Sequence, residues 1–126
     1  SAGAIENSNC FAGVIAAKDQ NAADSVLDLP DPEEDINCFE SAMIKNVIIR
    51  GIKDEPYCFI NSNLAACRFG TISLTRPQYD NGGADFGVAA DSIRRISLKD
   101  ADGTKSFGRL DAPGEIRNNN VVIRLK

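Results

Sequence analysis

The sequence predicts an all-β protein, a small antiparallel β-barrel or β-sandwich formed by a single domain and braced by two disulfides. Short β-branched segments recur about every ten residues with turn residues between them, a pattern typical of barrels and sandwiches. The 126 residues are 43% hydrophobic and 25% charged, which favours one compact core over a disordered chain. The four cysteines are an even number in a short chain, and this indicates a disulfide framework.

The stretch from Cys38 to Cys67 contains three of the four cysteines and the longest β-branched run of the chain. That run covers residues 43–52 and reads Met-Ile-Lys-Asn-Val-Ile-Ile-Arg-Gly-Ile. Apolar side chains fall on both sides of a two-residue alternation, so the strand should be covered on both faces. We therefore expect residues 43–52 to form the central strand of the sheet.

The region before this run is expected to begin with a flexible amino-terminal segment, residues 1–9, ahead of a domain that spans residues 10–126. A short strand is predicted at residues 13–17, followed by a polar turn and a return through residues 26–29. A helix across residues 16–27 is an open alternative, because alanine is the best helix former and is frequent there.

The segment of residues 28–35 carries five carboxylates in eight residues. Such a cluster could bind calcium, but its spacing does not match a helix-loop-helix calcium loop, and Pro30 and Pro32 stiffen it. We expect a solvated surface loop at this position and no metal site.

Turn residues alternate with further strands after the central run. Residues 57–69 are predicted to form a hairpin that Cys58 and Cys67 close. Residues 70–76 alternate apolar and polar side chains, which predicts one buried face and one wet face. The densest turn chemistry lies at residues 77–84, where an Asn-Gly pair tolerates positive φ. Further strands are predicted at residues 86–88, 93–99, 104–110 and 121–125, with a hairpin turn at residues 100–103.

Four cysteines allow three pairings, and easy hairpin reach favours Cys58 with Cys67, together with Cys10 and Cys38. The spacing contains no Cys-x-x-Cys and the chain has no histidine, so a zinc site is not expected. Disulfides indicate an oxidising compartment. The start at Ser1 indicates a processed terminus, and no apolar run is long enough to span a membrane. We expect a secreted, extracellular protein.

The net charge of −4 hides an asymmetry along the chain. Residues 1–42 carry nine acids and one base, whereas residues 43–126 carry nine acids and 13 bases. One interpretation is an acidic amino-terminal segment that lies across the barrel. The other is a basic patch for an anionic surface, formed by Arg94, Arg95, Arg109, Arg117 and Arg124. Nucleic acid is not an expected partner, because the pI is about 4.8 and few aromatic side chains are available for stacking.

The absence of histidine excludes Ser-His-Asp and Cys-His catalysis and every histidine-ligated metal site. A pair of carboxylates could still hydrolyse a glycosidic bond. The candidates are Asp80, Asp85, Asp91 and Asp111, but sugar-cleaving enzymes generally use tryptophan platforms, which this chain lacks. We expect no enzymatic activity and no cofactor.

The overall character of residues 10–126 resembles the small secreted cysteine-rich proteins of filamentous fungi, in size, presumed disulfides, β-rich pattern and lack of a catalytic inventory. Within that class the chain is most similar to the barrel-forming effectors and elicitors of Trichoderma and the rice blast fungus. The resemblance implies a secreted β-barrel, often a homodimer, that modulates or triggers plant defence by binding a host protein or surface component. The alternative function is a carbohydrate- or cell-wall-binding module with a sugar pocket that contains Tyr57 or Tyr79.

Overall fold

A computed structural model describes residues 1–13, 29–30, 32, 36, 38 and 42–126. This part of the chain is all-β and contains no helix, which confirms the predicted class. The predictions for residues 13–17, 16–27 and 28–35 lie wholly or largely outside the described residues. The strands are β1 Ile5–Glu6, β2 Asn9–Ala12, β3 Met43–Ile48, β4 Phe59–Ile60, β5 Asn63–Thr75, β6 Phe86–Asp100, β7 Gly103–Phe107, β8 Gly114–Asn118 and β9 Val121–Leu125.

Most neighbouring strands run parallel. β5 pairs in parallel with β2, β3 and β6, and β6 pairs in parallel with β9. Between β5 and β6 the partners keep a constant sequence separation, from Asn63 opposite Gly87 to Thr75 opposite Lys99. From β3 to β6, where every residue is described, the chain therefore returns to the same side about every two dozen residues without a helical crossover, which is the arrangement of a parallel β-solenoid.

Each coil of this solenoid passes along three sides. In the second coil, β3 lies on the first side, β4 on the second and the start of β5 on the third. The first coil stacks on it through Ala2 with Ile49, β1 with β4, and β2 with β5. The strands β5 and β6 are long because each ends one coil and begins the next. β5 changes sides at Cys67 and β6 changes sides at Asp91. These two residues are not paired with each other in the β5–β6 register, which continues at the next residue of each strand.

The prediction of an antiparallel barrel or sandwich is wrong, because a two-residue alternation does not reveal the direction of the neighbouring strand. The hairpin predicted over residues 57–69 required the chain to reverse at residues 61–63, but these residues carry it from one side of the coil to the next, with Asn61 at φ +40°. Among the described strands, antiparallel pairing joins β6 to β7 and β8 to β9. The first of these hairpins confirms the turn predicted at residues 100–103. The sheets do not close, because β3, β7 and β8 each have a single strand partner.

The predicted central strand lies at an edge. β3 pairs only with β5 among the described strands, and Met43 at its start is 52% exposed. Its apolar residues do not face two covered surfaces, as the alternation suggested. β5 and β6 are central instead, since each has strands on both edges.

The first residues of β5 and β6 are divided between two apolar clusters, one on each face of the sheet. The main core lies inside the coils and includes the Phe59 and Phe86 rings, whose centroids are 5.6 Å apart. The second cluster lies on the opposite face of the same strands, where Leu29 and Ile36 pack on the third side of the coils. Its other buried members are Ala65, Cys67, Ala89 and Val122.

The cysteine pairing differs from the prediction. A single disulfide joins Cys38 to Cys67, with their Cα atoms 5.1 Å apart, while Cys10 is an exposed and Cys58 a buried free cysteine. The predicted pairs, Cys10–Cys38 and Cys58–Cys67, depended on a hairpin between residues 57 and 69. That hairpin does not exist, because β4 and β5 lie on different sides of one coil.

The amino terminus takes part in the solenoid from its second residue. Ala2 donates its N–H to Ile48 and accepts a hydrogen bond from Arg50, and Asn9 opens β2. Backbone pairing therefore reaches upstream of residue 10, where the domain was expected to start. Within the described residues, we find no helix with the length and apolar character needed to cross a bilayer.

Candidate functional site

Basic side chains concentrate on the first side of the coils, which we call the basic sheet. It consists of β3, residues 68–75 of β5, residues 92–100 of β6, and β7. The segments that form this side and its turns, residues 43–53, 68–76 and 92–110, contain ten bases and only two acids. The bases are Lys45, Arg50, Lys53, Arg68, Arg76, Arg94, Arg95, Lys99, Lys105 and Arg109.

An open groove of about 710 Å³ crosses this sheet. Lys45, Arg68 and Arg94 line it from three successive strands, and Arg109 lies beside them. Its uncharged polar lining is formed by Asn46, Thr71 and Ser92. Among the described residues, none that lines the groove is acidic.

Gly70 lies beneath Lys45 in the middle of the groove. A Cβ at Gly70 would overlap the carbonyl oxygen of Lys45, so a larger residue at this position would force the neighbouring strand β3 to shift. Phe69 pairs with Ile44 of β3 and with Ile93 of β6, so Lys45 and Arg94 are the next residues along the two neighbouring strands, while Gly70 adds no bulk between them. Because Gly70 has no side chain, the groove is deeper there, between Lys45 on β3 and Arg94 on β6. These two strands are separated by two strand spacings, about 10 Å.

Most cations of the groove have no carboxylate partner. Among the described residues, no salt bridge includes Lys45, Arg68 or Arg94. Arg109 is paired, since its Nε lies 2.6 Å from Asp111 Oδ2, and its side chain is 84% exposed. The groove therefore presents a positive potential that its own lining does not neutralise.

The predicted five-arginine patch divides into two places. Arg94, Arg95 and Arg109 lie on or beside the basic sheet, whereas Arg117 and Arg124 belong to an ion-paired cluster with Asp85 and Glu115. Arg117 Nη1 and Nη2 donate to the two oxygens of Asp85 at 2.7 and 2.9 Å. This hydrogen bonding holds the pKa of Asp85 below its ordinary value. The cluster balances two bases with two acids, so it offers little free charge.

The candidate catalytic carboxylates have separate surroundings. Asp80 accepts the N–H of Gly82, Asp111 pairs with Arg109, and Asp85 is held ionised by Arg117. A general acid in glycoside hydrolysis needs a raised pKa, and the pKa of Asp85 is shifted the other way. Asp91 lies at the point where β6 changes sides, beside the Cys38–Cys67 disulfide.

The Cys38 and Cys67 sulfurs and an Asp91 oxygen lie within 4.8 Å of one another. This arrangement resembles a metal site, but cysteine binds a metal as a free thiolate. Here the two sulfurs are bonded to each other. The arrangement is therefore a disulfide with a neighbouring carboxylate.

Neither predicted sugar-stacking tyrosine lines the groove. Tyr57 is 45% exposed in the turn that follows β3. Tyr79 donates its hydroxyl to Asp100 Oδ2 at 3.1 Å, and burial together with this carboxylate raises its pKa to about 12. Its ring is packed against the main core and is not available as a platform.

Sequence reasoning missed Lys45 and Arg68 as site residues, because they are isolated cations in apolar runs. The signal that could have found them is the parallel register, which aligns residue 43 with residues 68 and 92 and residue 44 with residues 69 and 93, and so brings Lys45, Arg68 and Arg94 to one part of the sheet. Comparison of the chain with protein-family models, with curated proteins and with solved structures finds no match. The basic groove on a parallel β-solenoid is thus the feature from which a function has to be argued.

Proposed function

We propose that this protein binds an acidic polysaccharide in the groove of the basic sheet, without cleaving it. The observation that carries the proposal is a set of cations on three neighbouring strands, Lys45, Arg68 and Arg94, that have no carboxylate partner in the part of the chain that the structure describes. A polymer with a carboxylate on successive sugars would place negative charges along a row of this kind. It also fits an open groove better than a closed pocket.

The uncharged lining supports a sugar rather than a nucleic acid. Asn46, Thr71 and Ser92 offer hydrogen-bond partners for hydroxyl groups beside the cations. The aromatic residue in the lining is Phe69, which is only 2% exposed. Single-stranded nucleic acids depend on base stacking in addition to phosphate contacts, and the described lining of this groove has no exposed ring for stacking.

An extracellular location agrees with this proposal. Disulfides persist in oxidising compartments and are rare in the cytosol, and the protein contains one between Cys38 and Cys67. Acidic polysaccharides are components of cell walls and extracellular matrices. The proposal therefore specifies the predicted cell-wall-binding module, with cations in place of tyrosine platforms.

The test is binding to polygalacturonate, with the same polymer fully methyl-esterified as the neutral control. We expect retention on the charged polymer only, weakening as salt is raised because exposed charges are screened. In the variant Lys45→Gln/Arg94→Gln we expect affinity to fall about 10- to 100-fold, since one charge-assisted contact contributes about 1.5 kcal/mol or more.

The matched control is Lys105→Gln/Lys126→Gln, which removes the exposed Lys105 and the half-buried Lys126, neither of which lines the groove. Its affinity should stay within about twofold of the parent, apart from general screening. Equal losses in the two variants, or equal binding to the esterified polymer, would show that the groove is not the binding site.

A role in plant defence is the second proposal. It depends on the resemblance to fungal effectors and elicitors and, in this structure, on exposed apolar side chains at Ile52 (47%) and Tyr57 (45%) in one turn. Such residues are suited to a protein contact. Infiltration of leaves should give a defence response that Ile52→Ser/Tyr57→Ser weakens, while the groove variant keeps it; no response in several plant species would refute this role.

A further inference from the structure

A second cluster of cations surrounds a cleft where the coils turn from their first to their second side. We call it the turn cleft, and it has a volume of about 450 Å³. Arg50 and Lys53 enter it from the turn after β3, Arg76 from the end of β5, and Lys99 from the end of β6. It shares no lining residue with the groove of the basic sheet.

Arg76 is fixed in the wall of the turn cleft. Its backbone has φ +49°, an unusual conformation for a residue other than glycine. Two backbone hydrogen bonds hold it there, from Arg76 N–H to Lys99 O at 2.6 Å and from Cys58 N–H to Arg76 O at 2.9 Å. Strained backbone conformations of this kind cluster at functional sites.

The Arg76 guanidinium is also held in place, but its hydrogen-bonding capacity is not used up. Its Nη2 donates to Ile52 O at 2.5 Å and to the buried sulfur of Cys58 at 3.3 Å. Its Nε is buried and has no hydrogen-bond partner among the described residues. A buried unsatisfied donor calls for an explanation, such as a bound ion or water. A rigid arginine fork matches the oxygens of phosphate and sulfate.

The charge of the turn cleft is not balanced by its own acid. No salt bridge among the described residues includes Arg50, Arg76 or Lys99. The acid in the lining is Asp100. It is occupied elsewhere, since Oδ2 accepts the Tyr79 hydroxyl and Oδ1 accepts the N–H of Asp102.

We infer that the turn cleft binds a small tetrahedral oxyanion, of the phosphate or sulfate type. Arg76 is preorganised as its planar anchor, and Arg50 and Lys99 supply charge from the coils on either side. A compact dianion suits this site better than a polymer, because the cations converge from three consecutive turns on one small cleft. The site is independent of the polysaccharide groove and does not depend on that proposal.

The test uses isothermal titration calorimetry with inorganic phosphate and with inorganic sulfate, at constant ionic strength set by chloride. We expect saturable binding of at least one anion, and a loss of at least tenfold in affinity in Arg50→Gln/Lys99→Gln. These side chains are exposed on the surface, so the variant should fold, which its unfolding curve would verify. Lys105→Gln, on β7 and outside the cleft, should change the affinity less than twofold.

Two further experiments distinguish a free anion from an anion carried on a sugar, and distinguish this inference from the proposed polysaccharide binding. Sulfated and unsulfated forms of one oligosaccharide show whether the anion is recognised free or as an ester. The groove variant Lys45→Gln/Arg94→Gln should retain the anion affinity of the parent. Absence of binding to both inorganic anions and to the sulfated sugar, or equal weakening by Lys105→Gln, would overturn the inference, whatever the result with polygalacturonate.

Discussion

The two parts of one continuous strand, β5, lie in two different environments. Residues 63–67, the covered half, are all buried, because the main core lies on one face and Leu29 and Ile36 lie on the other. In residues 68–75, the basic half, Phe69 and Gly70 are both buried and the positions from Gly70 on alternate between buried and accessible, with the main core on one face. β6 repeats the division, with residues 86–90 buried and Arg94 and Arg95 exposed.

The difference lies in what covers the outer face. In the covered half, small side chains such as Ala65 and Ala89 leave room for a second layer above the sheet. In the basic half, the equivalent outward positions carry charged or polar side chains, and ligands can reach the strands. We therefore expect changes to the covered half to act on stability and changes to the basic half to act on binding.

The largest expected effect comes from the disulfide that fixes the second layer on the covered half. Cys38→Ala/Cys67→Ala should lower the free energy of unfolding by about 3.5 kcal/mol, the chain-entropy estimate for a loop of this size; the two cysteines are 29 residues apart. Denaturant unfolding measures the loss. Hydrogen exchange should show lost protection at residues 63–67 and 87–90, while residues 71–75 keep theirs.

Cys10→Ala is the matched control for this prediction, because Cys10 is exposed and unbridged. Its unfolding free energy should stay within about 0.5 kcal/mol of the parent. Intact mass before and after reduction should differ by two hydrogens. A difference of four hydrogens would reveal a second bridge and contradict the pairing described above.

Two glycines allow the halves to be compared with the same substitution. A Cβ at Gly87 would overlap the carbonyl oxygen of Val122, and one at Gly70 would overlap that of Lys45. Gly87 also has φ +141° and lies between β5 and β9, whereas β3 beside Gly70 is an edge strand that can shift. We expect losses of about 3 kcal/mol for Gly87→Ala and about 1 kcal/mol for Gly70→Ala.

Thermal and denaturant unfolding of both glycine variants measure this difference. Gly108→Ala is the control, since nothing lies within 4 Å of its Cβ position, and it should leave stability nearly unchanged. If Gly70→Ala proved as costly as Gly87→Ala, the basic half would be as constrained as the covered half, and the comparison would fail.

A smaller effect is expected from the asparagine ladder that begins the covered half. Asn63 donates its side-chain amide to Asn9 Oδ1 at 3.1 Å and accepts the N–H of Gly87 at 3.2 Å, so it links three coils. Asn63→Ala should cost about 2 kcal/mol, because the Gly87 N–H loses its acceptor in a buried site. Asn61→Ala, in a more exposed ladder position, should cost less when measured by the same unfolding experiment.

The sequence was sufficient to predict several strands, although not β1, β2 or β8, and it was not sufficient to predict which strands are neighbours. The alternation of residues 70–76 predicted a half-buried strand correctly, and the turn at residues 100–103 predicted a true hairpin. The turn at residues 61–63 has similar residue chemistry, yet it joins two sides of a coil. Local φ preferences are the same in both cases, so only the tertiary register separates them.

The candidate site could likewise be predicted only in part: its cations were visible in the sequence, but their grouping in space was not. The excess of bases after residue 42 was visible, and Arg94, Arg95 and Arg109 were named. Lys45 joined them only when β3 proved to be the parallel neighbour of β5. The disulfide pairing could not be predicted for the same reason, since Cys38 and Cys67 become neighbours through the folding of the second layer onto the coils.

Tyr79 connects the two halves and gives the smallest expected effect. Its backbone carbonyl accepts the N–H of Asn120, just before β9, and its hydroxyl donates to Asp100 at the end of the basic half of β6. Tyr79→Phe should cost about 1 kcal/mol at neutral pH, the usual net value of one hydrogen bond. The burial and the Asp100 carboxylate that raise the pKa of Tyr79 to about 12 predict how this cost varies with pH.

In the unfolded chain the tyrosine pKa is near its ordinary value of 10.0, so the folded state holds the phenol proton more tightly. The stabilisation is therefore complete below pH 10 and is lost as the pH rises toward 12. The chain has only two tyrosines, so Tyr57→Phe isolates Tyr79 in an absorbance titration. A single step near pH 12 is expected; a step near pH 10 in the folded protein would mean that the hydroxyl is not held by Asp100 and that the two halves are not joined there.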